Sequence, residues 1–189
     1  CTTGEVWFKH PEKVLGIRAD WVDANPKAAM AIMLATMEAQ MWCEKMENKE
    51  EMATIIGKRQ WFNVPVPDII GRIKGDINYG RGKVAKGTNL GMKFWGENGA
   101  TSYPWKSLDT WFVTENIRWG KFEPTLDIKA LVDKTNRSDL WIEAAKTLGV
   151  ANAPSGDSRG IEKFFDGKTF DPADPMAYLK SLSIKRAMV

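Results

Sequence analysis

Histidine and cysteine are nearly absent from this chain: one His (His10) and two Cys (Cys1 and Cys43) in 189 residues. Two cysteines do not make a disulfide framework, and no Cys or His ligands recur about two to five residues apart as a zinc site requires. A Ser-His or Cys-His catalytic pair has only His10 as its base, and no Ser or Cys stands in a nucleophile-elbow setting. Glu50 and Glu51 form a carboxylate pair, but adjacent acids at a helix start are ordinarily first-turn charges. No catalytic residue, cofactor or metal ligand is therefore expected.

Long apolar runs are also missing. None approaches the roughly 20 residues that cross a bilayer, and the first residues lack the basic-then-apolar pattern of a signal peptide. A lipidated Cys1 is disfavoured, because Val6, Trp7 and Phe8 follow where a polar spacer is expected. Strong charge of either sign is lacking as well: 27 Lys and Arg face 24 Asp and Glu, a balance of +3 that argues against nucleic acid as a partner. The glycine-rich stretch from Gly75 to Thr88 is not a phosphate loop, since Val84 follows Gly82-Lys83 and no lysine precedes Thr88. It reads as a surface hairpin.

What is present is enough apolar sequence, 43%, to bury a sizeable core. Helical signals dominate. Asn25-Pro26 reads as an N-cap with proline at the first helical position, opening a long helix over 27–47 whose Ala, Met and Leu content predicts burial on more than one side. The methionines read as core packing. Asn48 with Glu51 resembles a capping box for a helix through Ile56, and the prolines of "VPVPDIIGRIKG" precede a short amphipathic helix that stops at Gly75. Ser107 is expected to cap a helix closed by Gly120, and Ser138 one closed by Gly149, with "LDIKALVDKT" helical between them.

Only "KVLGIR", Lys13 to Arg18, reads as a strand, and a lone strand needs partners. The two Asp-Pro steps after Phe164 suggest a tail laid over an already folded body before a last short helix. Nine tryptophans, several beside Lys or Arg, resemble a single-strand stacking platform. Trp42, Trp111 and Trp141 fall within helical patterns, however, and are expected in the core.

The order of blocks says more than any single motif. "TTGEVWFKHPEKVLGIRADWVDANPKA", "MEAQMWCEKMENKEE", "WFNVPVPDIIGRIKG", "MKFW", "SYPWKSLDTWFVTENIRWG", "SDLWIEAAKTLGV" and "GIEKFFDGKTFDPADPMAYLKSL" follow one another from near Thr2 to about Ile184. Together they resemble the C-terminal half of the nitrate-binding proteins of bacterial ABC transporters. The resemblance implies an α/β fold, part of a two-lobed periplasmic-binding-protein (type II) architecture, with this portion mostly helical and poor in strands. It implies that residues 1–189 are the C-terminal portion of one solute-binding protein, contributing to both lobes, with the N-terminal half absent.

The same resemblance implies a function without covalent chemistry. Members bind nitrate, sometimes nitrite, and deliver it to a permease driven by an ATPase. They act in the periplasm at the outer face of the cytoplasmic membrane, some through a lipid anchor. Related proteins bind bicarbonate, and a similar domain fused to the transporter's ATPase subunit would be a cytoplasmic nitrate sensor. The lysine of the His-Pro-Glu-Lys motif, Lys13 here, contributes to the nitrate site. Bicarbonate relatives place an acid near this position in a calcium-assisted site, so Lys13 argues for nitrate. His10 reads as structural, and the family's other ligand residues (a Trp, a Gln, a His and a Gly) have no counterpart in the chain.

Overall fold

The computed structural model describes residues 1–186, and these fall into two compact units interleaved along the chain. One comprises Cys1–Thr2, Ile17–Ser102 and Glu143–Pro154, the other Thr3–Gly16, Tyr103–Ile142 and the residues from Ser155. In chain order the helices are α1 (Thr3–Val6), α2 (Ala19–Ala24), α3 (Pro26–Glu44), α4 (Lys49–Ile56), α5 (Val66–Lys74), α6 (Lys106–Arg118), α7 (Ile128–Thr135), α8 (Ser138–Thr147) and α9 (Pro175–Ser181). The strands form two separate antiparallel hairpins, β1 (Ile77–Gly80) with β2 (Lys83–Ala85), and β3 (Glu162–Lys163) with β4 (Thr169–Phe170). The helix-rich, strand-poor expectation matches this layout.

In the first unit, α4 and α5 pack Met52, Ala53 and Ile73 against the half-buried Trp42, Ile56 and Phe94. Gly75 ends α5 in the left-handed region at φ 96°, and a Cβ there would meet the Thr88 carbonyl oxygen at 2.6 Å. Only glycine fits that close approach. The hairpin β1–β2 follows, as the glycine-rich stretch predicted. The long α3 is less enclosed than its composition suggested: it buries Ala29 and Met37 but leaves Ala28, Ala31, Ile32 and Ala35 exposed. It packs on α2 and α4 along one face, so the other apolar face has no neighbour among the described residues.

In the second unit, Ile117 of α6, Ile128 and Val132 of α7 and Leu179 of α9 share one core. The tail is part of that body and does not lie over it, because Phe170 and Leu179 are fully buried. Tyr178 donates its hydroxyl hydrogen to Glu115 at 3.0 Å. Burial and that neighbouring carboxylate push its pKa up to about 12. Of the tryptophans expected in the core, Trp141 is buried, while Trp42 and Trp111 are half-buried.

Several expected caps are corrected. The Asn25 amide donates to the Trp21 carbonyl at 3.0 Å, tying off α2 without capping α3. Asn48 sits in a 3-10 turn over Met46–Asn48 and donates to the Trp42 carbonyl at 2.8 Å, so no capping box forms. Ser107 lies inside α6, where its hydroxyl accepts from the Arg159 N–H at 3.4 Å. Ser138 is the first residue of α8, and the Asn136 side-chain oxygen takes its N–H at 2.9 Å. Side-chain caps instead occur at Asp127 and Asp174, which accept from Ala130 and Ala177 N–H.

The predicted strand Lys13–Arg18 is likewise corrected. The segment joins no ladder among the described residues, and Val14 within it is 84% exposed. A strand's N–H and C=O groups need a neighbouring strand, and no described segment supplies one.

Candidate functional site

The chain leading to Lys13 is held at its upstream end by one buried cluster. Trp7, 2% exposed, follows α1 and packs against His10, Trp111 and Phe164 at ring separations of 5.3, 4.8 and 5.1 Å. Its indole N–H donates to Glu162 at 2.7 Å. Arg159 pairs with both oxygens of that carboxylate and sends another N–H to the Lys9 carbonyl at 3.0 Å. The Phe165 N–H donates to the Val6 carbonyl at 2.9 Å. These contacts clamp residues Val6–His10 onto the second unit.

Beyond His10 the restraint ends. His10 Nδ1 lies 3.5 Å from Glu12, consistent with a structural histidine. The Lys13 ammonium lies 3.7 Å from the other oxygen of Glu12 and its side chain is 95% exposed. Among the described residues the structure brings no second donor to Lys13. Such a pair is a solvated surface contact, worth at most about 1 kcal/mol. A desolvated anion needs several converging donors. Two shallow depressions occur in the second unit, one lined by Phe8, Lys9, Ile161 and the Arg159–Glu162 pair and one around Phe164 and Tyr178; Lys13 lines neither.

A second ionic cluster lies in the first unit and was not singled out by the sequence. Glu44 accepts the backbone N–H groups of Phe94 and Trp95 at 2.7 and 3.0 Å. The buried Lys49 ammonium lies 4.9 Å from the centre of the Phe94 ring. Burial lowers the Lys49 pKa, opposed by the charge of Glu44. Burial also works against ionisation of Glu44, but the two N–H bonds and the nearby lysines outweigh it and hold its pKa below the usual value. Burial pushes the free thiol of Cys43 up, partly offset by Lys49, which is the opposite of an activated nucleophile.

A depressed carboxylate pKa stabilises the fold above its unfolded value, and that contribution is lost as pH falls through the folded value. Glu44→Gln should therefore cost about 1–3 kcal/mol at neutral pH, since it removes the charge facing Lys49. Thermal unfolding midpoints of the two proteins should differ at pH 7 and converge toward pH 3. A difference that does not change with pH would show that ionisation of Glu44 contributes nothing.

No group of three or more His, Cys, Asp or Glu suited to a metal occurs among the described residues, nor does a helix long and apolar enough to cross a membrane. Sequence reasoning missed Trp7, Arg159 and Glu162. Trp7 and Glu162 lie 155 positions apart, and neither stands in a recognisable motif.

Comparison with known proteins gives these residues a context. The NMT1-like family profile matches residues 1–57. The nitrate/nitrite binding protein NrtA of Synechocystis is 57% identical over 97% of this chain, corresponding to 42% of its own length. The bicarbonate-binding protein CmpA of Synechococcus elongatus is 49% identical over 98% of the chain and 43% of its own length. The crystal structure of the periplasmic nitrate-binding protein NrtA from Synechocystis superposes with a TM-score of 0.91 at 56% identity, over 96% of this chain and 48% of that one. The fold is thus that of the periplasmic binding proteins, and the chain spans less than half the length of the relatives it matches.

Proposed function

Because the chain belongs, over the span it covers, to the family of nitrate- and bicarbonate-binding proteins, we propose that it forms the C-terminal portion of a nitrate receptor that also accepts nitrite. The observation that carries this reading is the 57% identity to a nitrate/nitrite binding protein over 97% of the chain, against 49% to a bicarbonate-binding protein. The two compact units support a contribution to both lobes of a binding protein.

In this reading Lys13 is a ligand residue. Nitrate is planar and monovalent, and its three oxygens only accept hydrogen bonds; an ammonium is a point charge with three donors and no acceptor. Bicarbonate carries a hydroxyl that must itself donate, which a lysine cannot satisfy. The remaining donors come from the part of the fold that this chain does not span. Excluding water around the anion strengthens the attraction. The receptor binds and hands over without covalent chemistry. It works in the periplasm, held at the outer face of the cytoplasmic membrane by a lipid anchor, and delivers its anion to an ATPase-driven permease.

Calorimetric titration of the intact protein with nitrate, nitrite and bicarbonate, the last with and without calcium, tests this. Saturable nitrate binding that excess bicarbonate does not displace is expected. Binding of bicarbonate with no heat from nitrate would assign the protein to the other branch of the family.

A further inference from the structure

The segment between α4 and α5 is an ordered turn that presents its apolar side chains outward. Trp61 and Phe62 are 63% and 65% exposed, and all six residues of 58–63 are exposed. Exposure here does not reflect a loose chain. The Lys58 carbonyl accepts the N–H groups of Trp61 and Asn63 at 2.9 and 3.1 Å, and the Phe62 N–H donates to the Ile56 carbonyl at 2.9 Å. The turn is closed by the Val64 N–H donating to the Gly57 carbonyl at 3.1 Å. The backbone approach is so tight that a Cβ on Gly57 would lie 2.7 Å from the Val64 carbonyl oxygen. Asn63 takes the left-handed conformation, φ 52°, that turns the chain into α5.

Charge accompanies the aromatic pair. Lys58 and Arg59 precede it on the same turn, and neither has an acidic partner among the described residues. From Lys58 to Lys93 the sequence holds eight Lys or Arg and only Asp68 and Asp76 as acids, a balance of +6 in a chain whose whole balance is +3. Lys74 and Lys93 pair with Glu50 and Glu44, which leaves Lys58, Arg59, Arg72, Arg81, Lys83 and Lys86 without an ion pair among the described residues.

We propose that the Lys58–Asn63 turn docks the protein on an anionic lipid surface, with Trp61 and Phe62 entering the headgroup layer and Lys58 and Arg59 lying over its negative charges. Aromatic rings suit the headgroup level, where an apolar body meets a polar boundary, and juxtaposed Lys and Arg add attraction to an anionic leaflet. Two bulky rings on a projecting, internally bonded turn insert without unfolding anything and without ordering a flexible loop. The basic surplus favours a lipid face over a protein groove, which would select for apolar shape with fewer charges. The inference does not depend on which anion Lys13 holds.

The test is co-sedimentation of the intact protein, without attached lipid, with vesicles of phosphatidylglycerol and phosphatidylcholine and with pure phosphatidylcholine vesicles. Binding is expected to the anionic vesicles, weakened by added salt. Trp61→Ser with Phe62→Ser should lower the partition coefficient at least about tenfold, and Lys58→Gln with Arg59→Gln about tenfold with a shallower salt dependence. Thermal midpoints and nitrate affinity should not move in either variant, because all four side chains are exposed. Equal partition of the wild type and the aromatic variant would overturn the proposal. So would absence of vesicle binding, and if the same substitutions then weakened binding to purified permease, the turn would be a protein-docking element instead.

Discussion

Lys13→Ala is expected to weaken nitrate binding by about a hundredfold or more while leaving the thermal midpoint of the intact protein unchanged. The two halves of that result have separate causes. The side chain is 95% exposed and its one contact is 3.7 Å from Glu12, so its removal takes nothing from the folded body. A charged donor facing a desolvated anion is different, since losing it leaves the ligand's charge unmatched, at a cost of roughly 2–5 kcal/mol, where each 1.4 kcal/mol is tenfold. Lys13→Arg should recover part of the affinity, because the charge is kept while the planar fork changes the donor geometry. Calorimetry with nitrate, paired with thermal melts, measures both. Undiminished affinity in the alanine variant would remove Lys13 from the site.

The second large effect is expected at Glu162. Glu162→Leu should destabilise the protein by about 3 kcal/mol, because it leaves the Arg159 guanidinium and the Trp7 indole N–H without their acceptor. For a chain of this size the midpoint should fall by about 6–12 °C. The Arg159 and Glu162 side chains are only 19% and 10% exposed, so water replaces the lost partner poorly. Combining Glu162→Leu with Arg159→Met should restore part of the loss, since no orphaned charge then remains buried. Additivity of the two single losses would show that the pair is not coupled. Nitrate affinity should also fall in Glu162→Leu, because the cluster is what holds Val6–His10, three residues upstream of Lys13, in place.

The capping corrections illustrate how short-range chemistry can be ambiguous. Asn25 and Asn48 each stand between two helical segments, and the same amide can accept from the next helix or donate back to the previous one. In both cases it donates back, to Trp21 and to Trp42. The helices start where expected regardless, since Pro26 and the acids at 50 and 51 supply the signal independently.

What the sequence by itself determined is therefore local and ordered: where helices run, that Gly75, Gly120 and Gly149 end three of them in the left-handed region, and that the order of blocks marks a family of anion-binding proteins. These follow from interactions within a few residues of one another, or from the linear order itself. The tertiary structure alone decided that Lys13–Arg18 joins no ladder, that α3 leaves one apolar face open, and that Trp7, Arg159 and Glu162 form one buried cluster. A ladder partner, a packing neighbour and a buried ion pair each bring together residues far apart in the chain. No periodicity or spacing encodes which distant side chain will fill the place.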